Sequence, residues 1–138
     1  MPLVHFADLL THAYRHRYAV GAFDLVGLEF LEAVLSGAER SRSPVILSLA
    51  ESHFEHYDFD LLMPAVVAAA RRATVPVAIH LDHGSGPESV VRAMRLGANA
   101  VMVDASHLPF GENAARTREV VALAHACGVP VEGELGYV

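Results

Sequence analysis

Short apolar runs alternate along this chain with longer stretches in which apolar residues recur roughly every three to four positions. Leu3, Phe6, Leu9, Leu10 and Ala13 fall near one face of a helix predicted over residues 3 to 17. Residues 19 to 24 read as a short buried strand, and Leu28, Leu31, Val34, Leu35 and Ala38 mark a helix over 27 to 41. A second strand covers 43 to 50, with Pro44 tolerated only at its start. An alanine-rich helix over 58 to 73 leads into a third strand, 75 to 83. Ser85 and Glu88 match a Ser-x-x-Glu capping box with Pro87 in the first turn, opening a helix that stops at Gly97. A fourth strand over 98 to 106, a helix over 112 to 127 ended by Gly128, and a fifth strand over 129 to 136 complete the pattern.

Strands that are apolar on both faces and alternate with helices imply an α/β fold built on a parallel sheet. The polar residues gather at the C-terminal ends of these strands: Asp24, Asp82 with His83, Asp104 and Glu134. A TIM barrel keeps its active site there, and so does an open doubly wound sheet. Periodicity does not choose between them. A complete (β/α)8 barrel takes about 250 residues, and this chain has 138.

Composition narrows the chemistry. A 53% share of hydrophobic residues excludes disorder, and a net charge of -6 argues against a nucleic-acid partner. No apolar run is long enough to span a membrane, no secretory n-region precedes an apolar stretch, and the single Cys127 stands without a partner; these features lead us to expect a cytoplasmic protein. All ten basic residues are arginine. Without lysine the chain supplies no Schiff base, and it carries no phosphate-binding P-loop either. The nine histidines and the strand-end carboxylates hold the remaining chemistry.

The densest signal is His80-Leu81-Asp82-His83-Gly84. His80 and Asp82, two apart, share one strand face. His83 points away unless the strand ends and turns there, which Gly84 permits. Imidazole is a common metal ligand and a neighbouring carboxylate does acid/base work, although a buried histidine satisfied by a backbone carbonyl fits the same spacing. Asp104 closes an apolar run, where a bare carboxylate is costly unless paired, capped by a loop or bound to a cation. Glu132 and Glu134 share a face of strand five and repel unless a proton or cation lies between them, or unless an edge exposes them to water. His125 reads as structural, His107 as a solvated loop residue, and His5, His12 and His16 as helix surface. His53 and His56, beside Phe54 after strand two, lie near the rim of strand ends.

The segments AVGAFD from residue 19, SPVIL from 43, VPVAIHLDHG from 75, AVMVDAS-x-LPF-x-EN from 100 and VEGELG from 131 together resemble the class II fructose/tagatose-bisphosphate aldolases. The resemblance runs from about residue 3 to residue 136, with five motifs in order. It implies a (β/α)8 TIM barrel of which this chain supplies the first five βα units, residues 1–138 being the N-terminal portion of a single domain. It implies a zinc-dependent lyase of carbohydrate metabolism that cleaves a ketose 1,6-bisphosphate reversibly to dihydroxyacetone phosphate and an aldehyde. In this family the metal replaces the lysine of the class I enzymes. Asp82 is then the catalytic group handling the proton on the C4 oxygen. His83 is a Zn2+ ligand, and Asp104 and Glu134 belong to a secondary or alternate metal position. Two departures fall where the triose part binds: Asp24 stands where the family has asparagine, and Ala50 where it often has serine. The family's two further zinc histidines lie beyond strand five. The expected partners are a small sugar phosphate and further copies of the chain, as a dimer or tetramer, with no nucleic acid and no membrane. A non-catalytic sugar-phosphate-binding or scaffold relative, a truncated inactive fragment, and a half barrel that pairs its open edges with another chain are the competing readings.

Overall fold

The computed structural model describes residues 2–136. Helix α1 (Phe6–His16) precedes strand β1 (Gly21–Asp24), and α2 (Leu28–Ser41) leads to β2 (Val45–Ala50). A single 3-10 turn (Glu51–His53) and α3 (Phe59–Arg72) precede β3 (Val77–Gly84), followed by α4 (Pro87–Leu96), β4 (Ala100–Val103), α5 (Phe110–His125) and β5 (Val131–Gly133). All neighbouring strands pair in parallel, in the order β1-β2-β3-β4-β5. The parallel α/β expectation is therefore met, and the order resolves what periodicity left open. A doubly wound sheet reverses its strand order at a switch point; this sheet never does, as a barrel wall requires.

Alternation along each strand separates two layers. Val45, Leu47 and Leu49 of β2, Val77, Ile79 and Leu81 of β3, and Val101 and Val103 of β4 join Phe59, Met63, Val66, Val90 and Val120 of the helices in one continuous core. Burying these side chains against the helical layer supplies the fold's main driving force. The opposite, concave face carries the smaller or polar partners Ser48, Ala78, His80 and Asp82. There Ile46 and Ala78 pack with Leu9, Phe6, Val4 and Val20, so α1 closes the N-terminal end of the wall.

Several boundaries differ from the sequence pattern. The opening helix starts at Phe6, because residues 2 to 4 run extended along β3: the Val77 N–H donates to the Pro2 carbonyl at 2.7 Å and the Val4 N–H to the Val77 carbonyl at 2.9 Å. Asn99 locks this segment, donating to the Val4 carbonyl at 2.7 Å and accepting from the Ile79 N–H at 2.8 Å. β1 is exposed throughout, not buried, since it is the edge strand and none of the described residues forms a strand on its outer side. β5 is shorter than expected and leaves Glu134 just past its end.

The helix start at α4 also changes. Gly86, not Ser85, is its N-cap, and the Ser89 hydroxyl lies 3.4 Å from the Gly86 N–H while donating to the Gly86 carbonyl at 3.1 Å. Ser85 is drawn instead to Glu51, with its hydroxyl donating to one carboxylate oxygen at 2.9 Å and its N–H to the other. Charge-assisted bonds of this kind outcompete a neutral cap. Gly97 ends α4 in the left-handed conformation, φ 111°, as the sequence indicates.

Candidate active site and metal centre

β3 carries the centre of the site. His80 and Asp82 project to the concave face as their spacing predicts, with His80 Nδ1 4.0 Å from Asp82 Oδ1. His83 reaches the same mouth by a different route from the expected one. The residue in the left-handed region is His83 itself, φ 48°, and β3 breaks its register with β4 between Leu81 and Gly84. Such strain in a bulky residue is tolerated where surrounding contacts hold it, and it is common at functional sites. Gly84 serves close approach: a Cβ there would lie 2.7 Å from the Met102 carbonyl oxygen.

The bulge brings His83 across to β4 and β5. His83 Nδ1 lies 2.9 Å from Asp104 Oδ2 and 3.6 Å from Glu134 Oε2, and its Nε2 lies 4.0 Å from Asp82 Oδ2. The other Asp104 oxygen accepts from the Ser106 hydroxyl at 2.6 Å and the Ser106 N–H at 2.9 Å. These Ser106 bonds, with His83, hold the Asp104 carboxyl down at about 2. The Asp104 bond in turn raises His83, aided by the charges of Asp82 and Glu134. Burial pushes Asp82 above the usual carboxylate value despite the pull of His83, and Asp24 and Glu134 add to the rise.

Donor atoms of His83, Asp104 and Glu134 all lie within 4.8 Å of one another. Ligands about 2.0 Å from a tetrahedral Zn2+ sit about 3.3 Å apart, so the separations of 2.9 and 3.6 Å suit one cation after small adjustments. One nitrogen and two carboxylates form a donor set that Zn2+ accepts.

Beneath Asp82 lies a second polar layer. His80 is buried, its ring stacked on Phe6 with centroids 5.5 Å apart. Its Nδ1 meets Ser48 Oγ at 3.4 Å, and its Nε2 lies 3.5 Å from Glu132 Oε2, near enough for charge to act but without hydrogen-bond geometry. Burial lowers His80 to about 4, with His83 contributing. Burial also raises Glu132, with Asp82 and Glu134 adding to the effect. Among the described residues no backbone carbonyl accepts from His80, unlike the buried, carbonyl-satisfied histidine that the same spacing allows.

Of the remaining expected residues, Asp24 is exposed at the end of β1, paired in register with Ser48. Ala50 is buried at the end of β2 opposite Asp82 and offers no polar group. His53 is near enough for its charge to act on Asp82, and its buried Nδ1 has no partner among the described residues. His56 is exposed beside Glu55, 3.4 Å away, and His5, His12, His16, His107 and His125 are also exposed. Sequence reasoning missed two links, Glu51 to Ser85 and Glu132 to His80. Glu51 directly follows β2, so the rule that singled out the other strand ends applies to it as well. The Glu132 link needs the register of β3, β4 and β5, which no local pattern carries.

The site thus sets the carboxylate of Asp82 beside the His83–Asp104–Glu134 donor cluster at the strand ends of a singly wound parallel wall. Comparison with known proteins gives the family: residues 4–138 match the profile described as "Fructose-bisphosphate aldolase class-II", and the chain belongs to that family. It is 49% identical over 141 residues to a probable fructose-bisphosphate aldolase of Bacillus subtilis, covering 100% of this chain and 50% of that protein. A fructose-bisphosphate aldolase of Thermus caldophilus is 48% identical, with 97% of this chain and 44% of that one covered. Among solved structures, the YdjI aldolase of Escherichia coli K12 superposes with a TM-score of 0.94 at 37% identity, over 99% of this chain and 53% of that chain. A putative fructose-1,6-bisphosphate aldolase from Coccidioides immitis gives 0.85 at 36% identity, over 92% and 50%. The chain spans about half the length of the curated relatives it matches.

Proposed function

We propose that the intact protein is a zinc-dependent class II ketose-bisphosphate aldolase, and that residues 1–138 form the N-terminal portion of its single barrel domain. The reaction is reversible aldol cleavage of a ketose 1,6-bisphosphate to dihydroxyacetone phosphate and an aldehyde. The observation that carries this reading is the convergence of His83, Asp104 and Glu134 within 4.8 Å, directly beside a carboxylate, Asp82, that burial holds above its usual range. His83 would be a Zn2+ ligand together with residues from the rest of the barrel, Asp104 and Glu134 would offer a secondary or alternate position for the ion, and the bound metal would supply Lewis-acid polarisation of the substrate carbonyl.

Asp82 is the acid/base group, taking the proton from the C4 hydroxyl in cleavage and returning it in condensation. Its raised affinity for protons suits that exchange. Asp24 and Ala50 line the triose side, where the acidic Asp24 and the missing hydroxyl at Ala50 bear on which ketose is accepted. The substrate is a sugar phosphate, the setting cytoplasmic carbohydrate metabolism, and the assembly a homodimer or homotetramer. Asp82→Asn in the intact protein tests the assignment. Cleavage of fructose 1,6-bisphosphate is expected to fall by about 100-fold or more while bound zinc per chain stays the same. Unchanged turnover in a folded, zinc-loaded variant would remove Asp82 from the mechanism.

A further inference from the structure

The acid/base role of Asp82 leaves the layer beneath it unexplained. A buried imidazole facing a carboxylate in a barrel interior is costly where an aliphatic pair would pack as well. The groups around His80 come from four elements: Ser48 of β2, Asp82 of β3, Glu132 of β5 and Phe6 of α1. Interior layers of such barrels are built from alternate strands, and β3 and β5 are one such pair.

Orientation follows from donors and acceptors. Glu132 as a carboxylate only accepts, so at 3.5 Å it favours the tautomer with the proton on Nε2. Nδ1 then carries a single lone pair, which faces the Ser48 hydroxyl at 3.4 Å and Asp82 Oδ1 at 4.0 Å and accepts from one of them at a time. Asp82's other oxygen faces His83 Nε2, also at 4.0 Å, while His83 Nδ1 is engaged with Asp104. Contacts of this length in a ligand-free site tighten when substrate binds.

We propose that His80 is a positioning residue for the aldol reaction, its tautomer biased by the charge of Glu132 so that its unprotonated Nδ1 receives the protonated carboxyl of Asp82 and holds it in one orientation. Once Asp82 has taken the substrate proton, its O–H donates to Nδ1, and the same bond keeps the acid aimed for the return transfer. No proton passes through His80. The inference rests on the acid/base reading of Asp82.

Three variants of the intact protein test it, with steady-state cleavage of fructose 1,6-bisphosphate, metal content and imidazole 15N shifts as readouts. His80→Phe keeps the stack on Phe6 and is expected to lower kcat about 10- to 100-fold, with KM and bound zinc within about twofold of wild type. His80→Asn, with an amide near the Nδ1 position, is expected to recover at least about threefold of that loss. Wild-type His80 is expected to show the Nε2–H tautomer, and Glu132→Leu to shift it toward a mixture. Wild-type kcat in His80→Phe, a loss shared with KM or zinc, no recovery in His80→Asn, or a tautomer indifferent to Glu132 would each overturn the proposal. If the wild-type protein cleaves no ketose bisphosphate, the aldolase reading itself fails, and the tautomer measurement still decides the link between Glu132 and His80.

Discussion

His80 and His83 sit three residues apart and are driven in opposite directions. Burial lowers His80 to about 4 from its usual 6.5, whereas the Asp104 bond raises His83. For His80 the unfolded chain binds the proton more tightly than the folded one. Its contribution to stability is therefore full above about pH 6.5 and is lost as pH falls toward 4, by about 3 kcal/mol in all. Asp82 and Glu132, both held above the usual carboxylate range, act with the opposite sign as pH rises through their own values. Denaturant unfolding of wild type against His80→Phe isolates the histidine: the variant is expected to gain relative stability as pH drops from 6.5 to 4.5. An unchanged difference across that window would mean His80 is not buried neutral. Asp104→Asn removes a charge from the proposed metal site and the hydrogen-bond partner of His83 together. It is expected to weaken zinc binding about 10- to 100-fold, read by competition with a chromogenic chelator. Asp82, His80, His83, Asp104 and Glu134 were all visible in the sequence as strand-end residues; the sense of each pKa shift was not, because it depends on burial and on contacts made only in the folded sheet, such as that of His83 with Asp104.

At the scale of elements, the end of β3 decides whether these residues meet. His83 lies in the left-handed region and Gly84 packs against the β4 backbone. Gly84→Ala would force a Cβ to within 2.7 Å of a carbonyl oxygen and 2.9 Å of Leu81, so it is expected to cost about 1–3 kcal/mol and to depress activity per folded molecule. Gly97→Ala makes a useful contrast. That residue has φ 111° and a Cβ there would lie 2.7 Å from the Val67 side chain, so a similar loss of stability is expected, yet it ends α4 on the far side of the strand mouth. Thermal melts and kcat of the two variants should separate: both destabilised, and only Gly84→Ala impaired in turnover. The helix stop at Gly97 was legible because glycine ends helices for a local reason. The bulge at His83 was not, since nothing within the strand's own sequence distinguishes a left-handed histidine from a left-handed glycine. The start of α4 misled for a related reason: Ser85 has the right spacing to cap, but Glu51, in the turn after β2, takes it.

The described residues form a wall of five parallel strands whose outer members, β1 and β5, each have one side without a neighbouring strand among them. Phe23 (52% exposed) marks the β1 edge, and Phe110 (73%) and Leu135 (76%) lie beside β5. Open strand edges and apolar patches of this kind promote association. The isolated 138-residue chain is therefore expected to bind a hydrophobic dye strongly and to self-associate in sedimentation, whereas the intact protein should do neither beyond its native oligomer. Weak dye binding by a monomeric isolated chain would show that the wall needs no covering. The fold class followed from apolar strands alternating with helices, but the barrel choice required strand order, and strand order is a property of the assembled sheet. The most direct test of the account concerns the centre on which wall and site converge. The intact protein, dialysed against a chelator, should lose cleavage of fructose 1,6-bisphosphate and regain it with added Zn2+, the regained activity disappearing in His83→Ala. Undiminished cleavage in the chelator, with the protein demonstrably free of metal, would contradict the account.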